Sequence, residues 1–277
     1  MKTTFFCILL AVSSLVFSQP VTYHQWVERA ANFIEVNQLD SAVVALQRAM
    51  MLEPGNPSNT ILLFNLGVMQ RELGRRDAAL SSFSASLPNS PDATTVLFYR
   101  AALLTEMERF CEAIQDFDVI IQHNPRNTEA RYRRGVLFLE RGDRASAEAD
   151  FKEAERINPN DFHTKLSRAL LYKLADEWYA AEAIYTQLIN AAETPNYSLY
   201  LSRAECFVNT ERFSEAANDL RIIEVSRTQM DNPFFFFLRG RVRLALLDRN
   251  AARDDFRRAG ELGYFADIVE EWIGRTR

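Results

Sequence analysis

The sequence predicts an all-α fold of seven helix–turn–helix units in series, closed by one further helix at the C-terminal end. Three observations predict it. Residues 131–159 (RYRRGVLFLERGDRASAEADFKEAERINP) align without a gap on residues 97–125 (LFYRAALLTEMERFCEAIQDFDVIIQHNP) at an offset of 34 residues. Within each copy, apolar residues recur at i, i+3, i+4 and i+7 on two segments. Leu97, Ala101 and Leu104, then Ala113, Phe117 and Ile120, show this pattern of paired amphipathic helices. After the last copy, Phe265, Ile268, Val269, Trp272 and Ile273 form one stripe opposite Asp267, Glu270 and Glu271, as a terminal helix with a single apolar face requires.

Residues 1–18 read as a secretory signal peptide. Lys2 supplies the positive start and Phe5 to Phe17 the apolar stretch. Val16 and Ser18 place small side chains before a cleavage after Ser18, so the mature chain is expected to begin at Gln19 and to be exported, periplasmic or extracellular. An apolar stretch of thirteen residues is short of the roughly 20 needed to span a bilayer, so no membrane insertion of the mature chain is expected. Cys7 lies early in that stretch behind Thr4, Phe5 and Phe6, which is no lipidation signal.

Residues 19–266 carry the array, with copies at 23–56, 60–93, 94–127, 128–161, 162–195, 197–230 and 233–266. A small-residue column runs through Ala30, Gly67, Ala101, Gly135, Ala169, Ala204 and Gly240. Twelve residues after each stands an alanine, and four further on comes Leu46, Phe83, Phe117, Phe151, Tyr185, Leu220 or Phe256. Small residues let two helix axes approach, and the bulky column fills the space beside them. Gly74 and Gly142 suit the turns within units. Pro54, Pro91, Pro125, Pro159, Pro195 and Pro233 fall at the joints, where a missing N–H costs least. Residues 265–277 are the expected capping helix.

A 34-residue helix–turn–helix period with these columns closely resembles the tetratricopeptide repeat. The chain departs from the family pattern at Arg131 and Lys165, where the leading aromatic kept at Trp26, Tyr200 and Phe236 is missing. It departs again at Glu193, Thr228 and Tyr264, in place of a closing proline. The resemblance implies a right-handed superhelical α-solenoid whose first helices line a concave groove. It implies a wall that includes Phe64, Val68, Phe98, Tyr132, Val136, Leu166, Leu170, Phe234 and Phe237, with an apolar peptide or helix of a protein partner as ligand. In the run Phe234–Phe237, Phe236 is expected to pack inside its own unit and Phe235 against the preceding one. That leaves Phe234 and Phe237 for the wall, unless the capping helix covers them. Glu35, Glu72, Glu106 and Glu140, one repeat apart, form an acidic edge to the same groove, suited to a basic segment.

Arg100, Arg134, Arg168, Arg203 and Arg239 precede the small column, and Asp116, Asp150, Asp219 and Asp255 precede the bulky one. They read as structural ion pairs within or between units. Cys111 and Cys206 lie three units apart. Packed axes are about 8–10 Å apart and disulfide Cα atoms within about 7 Å, so both are expected to be free, buried thiols. His163 falls on the wall and reads as a plain surface histidine.

The net charge of −5 offers no footprint for nucleic acid. No HExxH, paired CxxC, GxSxG or phosphate loop occurs, and the three histidines stand in different units. No catalytic, cofactor or metal residue is therefore assigned. The expectation is a non-catalytic interaction module or scaffold in the cell envelope. The alternative is an architectural subunit that uses its convex face or self-association.

Overall fold

Segments with helical periodicity fold as helices because each can bury its apolar stripe only against a neighbour of the same kind. In the computed structural model, residues 21–228 and 231–276 are described, and the expected signal segment lies outside them. No strand occurs among the described residues, and no helix among them is long and apolar enough to cross a membrane.

The chain divides into two units, at Glu108/Arg109. The first holds α1 (Tyr23–Glu35), α2 (Leu39–Leu52), α3 (Asn59–Glu72), α4 (Arg76–Ser86) and α5 (Ala93–Glu106), with a 3-10 turn at Leu87–Asn89. α1 packs on α2 and α3 on α4, while α5 lies against α4 and α3. The second holds α6 (Phe110–His123), α7 (Thr128–Glu140), α8 (Arg144–Ile157), α9 (Phe162–Leu174), α10 (Trp178–Ala191), α11 (Tyr197–Asn209) and α12 (Phe213–Ser226). It continues with α13 (Pro233–Ala245), α14 (Arg249–Glu261) and α15 (Ala266–Gly274). Here α7 pairs with α8, α9 with α10, α11 with α12 and α13 with α14, and each pair also packs on the next.

The pairs are held by the small and bulky columns. A Cβ on Gly67, Gly135 or Gly240 would lie 2.7, 2.3 or 2.6 Å from the ring of Phe83, Phe151 or Phe256. All three rings are fully buried. The first helices other than α3 are fixed by side-chain caps from Thr22, Asp92, Asn127, Asp161, Asn196 and Asn232.

The arginine column ties helices across the joints. Arg134 grips buried Asp150 through Nε and Nη2 at 2.8 and 2.6 Å, and reaches back to Asp118 on α6. Arg203 holds Asp219 (2.8 and 2.7 Å) and Thr186 on α10; Arg239 holds Asp255 (3.0 and 2.6 Å) and Glu224 on α12. One guanidinium thus joins its own pair to the preceding one, both within and between repeats. Arg168 has Ile184 where the aspartate would stand, and turns to Glu155 instead (Nε 3.1 Å).

Three expectations are corrected. Cys111 is exposed, whereas Cys206 is buried, and burial pushes the Cys206 thiol up to about 12. In the terminal stripe, Val269 is buried, but Phe265 is 69% exposed. Phe237 is not part of an open wall: only 5% exposed, it is stacked on Tyr264 (centroids 4.4 Å apart) and meets Trp272 edge-on at 5.8 Å.

Candidate functional site

In the first unit, α3 carries Ile61, Phe64, Val68 and Arg71 at helical spacing, so they share one face beside α5. Phe64 is half-buried, with its ring against Phe83 (5.9 Å) and edge-on to Tyr99 (5.1 Å). Ile61, Phe64, Pro91 and Val96 line a cleft of about 160 Å³, and Ile61 at its mouth is 54% exposed. One turn further, Val68, Arg71, Tyr99 and Glu106 border a second cleft of about 480 Å³. Phe98 on α5 is half-buried.

The acidic edge is less uniform than its spacing suggested. Glu35 and Glu72 are exposed. Glu106 accepts from the Arg71 guanidinium, and that bond holds Arg71 above its ordinary value, against the opposing effect of burial. One of the three glutamates in this unit is therefore neutralised. Glu140, in the second unit, is exposed.

In the second unit, Tyr132, Val136, Leu166 and Leu170 are all half-buried. α7 and α9 bring Tyr132 to His163, with ring centroids 5.7 Å apart, and Tyr132 also meets Phe151 at 6.4 Å. His163 is no plain surface histidine: half-buried beside Phe162, it stands 3.8 Å from Glu129. Burial outweighs that carboxylate and lowers the imidazole below its ordinary value. Leu166 packs into the buried cluster of Ala169, Tyr185 and Leu188. On α13, Phe234 is half-buried and stacks toward Tyr264 at 6.4 Å, while Phe237 is covered as described.

Sequence reasoning missed Ile61, Tyr99, Arg71 and Tyr264. Ile61 and Arg71 stand three residues either side of the assigned pair Phe64 and Val68, so extending the same face would have found them. Tyr264 was noted only as the residue replacing a closing proline. No cluster of His, Cys, Asp and Glu suited to a metal occurs among the described residues.

A family model described as "Tetratricopeptide repeat" matches residues 100–162. No curated protein sequence matches the chain. Among solved structures, a tetratricopeptide repeat protein from Parabacteroides merdae is similar at 30% identity and TM-score 0.72, covering 92% of this chain and 98% of its own. A thermophilic TPR protein of Thermus thermophilus is 24% identical with TM-score 0.53, covering 68% and 99%. PilF of Pseudomonas aeruginosa is 19% identical with TM-score 0.52, covering 73% and 90%. The last two show the fold alone. With paired helices on a 34-residue period, a matching family model and a relative that is 30% identical over nearly the whole of both chains, the protein belongs to the tetratricopeptide repeat family.

Proposed function

We propose that the protein is a non-catalytic interaction scaffold of the cell envelope that receives an apolar peptide or helix of a protein partner on its first-helix walls. The tetratricopeptide fold supports protein partners in general. The observation that carries the finer reading is the open apolar cleft of the first unit, where Ile61 remains 54% exposed beside half-buried Phe64. An aliphatic side chain left in water next to an unfilled apolar cleft costs about 25 cal/mol per Å² of surface that a ligand could cover. Export rests on the sequence of residues 1–18, and N-terminal sequencing of the exported protein is expected to start at Gln19.

The test is photo-crosslinking in envelope extract, with benzoylphenylalanine replacing Ile61 in one variant and Val225 in another. Val225 is 79% exposed on α12, the second helix of its pair. A partner crosslinked at position 61 and not at 225 supports the wall. The same partner at 225 alone transfers contact to the second helices and sustains the architectural alternative.

A further inference from the structure

In the second unit, one face of the second helices keeps a polar register, and α12 breaks it. Two and five residues after the bulky column stand Val119 and Gln122 on α6, Glu153 and Arg156 on α8, Gln187 and Asn190 on α10, and Arg258 and Glu261 on α14. On α8 and α14 these residues pair with each other, at 2.7 and 2.9 Å. On α12 both are aliphatic, Ile222 and Val225, and both are exposed. The partner helix changes at the same level. Where α7 begins with Thr128 and Arg131, α11 begins with Tyr197 and Tyr200, which are half-buried. With Pro195, these four side chains line a cleft of about 310 Å³. Arg221 is the only charged residue among those lining it, and it forms no ion pair among the described residues. Neither phenol hydroxyl makes a hydrogen bond among them. Ser226, the remaining polar side chain at the cleft, is taken up by the Ile223 carbonyl (2.6 Å) and the Thr228 N–H (3.3 Å). The three free polar groups of the cleft are thus all donors, and the guanidinium cannot accept.

We propose that the α11–α12 cleft binds a proline-rich segment of a partner protein in the polyproline II conformation, with an acidic residue beside the prolines facing Arg221. The site goes beyond the wall reading and does not depend on it. Tyr200 stands one residue before Leu201, which holds the register that Tyr132 and Leu166 hold on the wall. The donor set selects the conformation. A polyproline II chain makes no internal hydrogen bonds, so its carbonyls stay available to the two phenols, whereas a helix has already engaged its own. The apolar lining selects the residue type. Proline brings no N–H, so laying it in a cleft without a free acceptor strands no donor. Its ring rests on the tyrosines and on Ile222 and Val225, and a chain already extended has little conformational freedom left to lose. The unpaired guanidinium selects the charge, since a flanking carboxylate meets it with a charge-assisted bond and a flanking lysine is repelled.

The experiment is a methyl NMR titration of residues 19–277, following Ile222 and Val225. The probe is acetyl-Glu-Pro-Pro-Pro-Pro-amide. One comparison peptide carries lysine in place of glutamate, and another carries alanines in place of the prolines. Saturable shifts are expected with the probe, and binding weaker by about threefold or more with either comparison peptide, the loss of one modest interaction. The double variant Tyr197→Phe/Tyr200→Phe keeps both rings and removes both donors. It is expected to keep its thermal midpoint, because the hydroxyls hold nothing in the fold, and to weaken the probe about tenfold. Arg221→Gln is expected to abolish the preference for glutamate over lysine and to keep the preference for proline over alanine. Shifts that do not saturate overturn the proposal. So does equal binding by the alanine or the lysine peptide, or full binding by the double variant. Shifts that follow protein concentration without peptide would give the cleft to a second copy of the chain, which also overturns it. The Ile61 crosslink tests the wall by itself, and neither of its outcomes alters the result of this titration.

Discussion

Asn37, Gly74, Glu108, Gly142, Asp176, Glu211 and Leu247 all adopt positive φ, between 56° and 76°, at the turn after the first helix of each repeat. The left-handed residue lets the next N–H reach back five residues, as from Arg75 to Gln70 (2.8 Å) and from Asp248 to Arg243 (2.9 Å), closing the helix end. Only two of these positions are glycine. Leucine is the poorest fit among them, since the left-handed conformation costs an L-residue about 1–2 kcal/mol. Leu247 is 81% exposed, so it contributes little burial in return. Leu247→Gly is therefore expected to stabilise the protein by about 0.5–1 kcal/mol after the greater unfolded-state entropy of glycine is subtracted. An unchanged or lower thermal midpoint would sink the argument. His163 makes stability depend on pH in a set direction. Its folded value is depressed by burial from the ordinary 6.5. The folded state thus binds fewer protons, and the contribution present above pH 6.5 is lost as pH falls through the folded value. In His163→Gln, the slope of stability against pH is expected to flatten below pH 6.5, and an unchanged slope would assign the effect to other groups.

At the scale of the helix pair, spacing is set by what faces the small column. Gly135 opposes Phe151, with 2.3 Å between a built Cβ and the ring, whereas Ala30 and Ala204 oppose the smaller Leu46 and Leu220. Phe151 is fully buried, so its ring has no free direction in which to yield. Gly135→Ala is expected to cost about 1–3 kcal/mol by overpacking, and adding Phe151→Leu to recover most of it. A double variant no more stable than the single one in urea unfolding would show that the axes do not respond to this pair. The pairing was legible in the sequence because both columns repeat with the period, as were the Arg134, Arg203 and Arg239 pairs. Features outside the period were not. Arg168 turns to the preceding helix because Ile184 breaks the aspartate column, and only the vacancy was visible. Cys111 stands on the exposed face of α6, although its neighbours Ala113 and Ile114 are buried.

Among the described residues, the first and the last helix pairs are finished differently. At the N-terminal end, Trp26, Phe33 and Val44 border an open cleft of about 360 Å³ on the α1–α2 pair. At the C-terminal end, α15 lies on α14 with Val269 buried, and Arg253 binds Thr276 through its hydroxyl (2.9 Å) and its carbonyl (2.8 Å). The repeat period carries no information on residues beyond its last copy, so the fate of Phe237 stayed open until the structure showed Tyr264 and Trp272 against it. Terminal units of a repeat array need a covering element because each unit buries its apolar face only on a neighbour. Trp272 meets Phe256 at 5.7 Å as well as Phe237, so removing α15 uncovers two aromatic rings at once. Trp272→Ala is expected to cost about 2 kcal/mol, below the range for a fully buried tryptophan because the ring is only half-buried. Ending the chain after Gly263 also removes Tyr264, and this shortened protein is expected to self-associate in sedimentation velocity at concentrations where the full chain does not. A shortened chain that stays monomeric and melts at the same temperature would show that α15 rests on the last repeat without stabilising it.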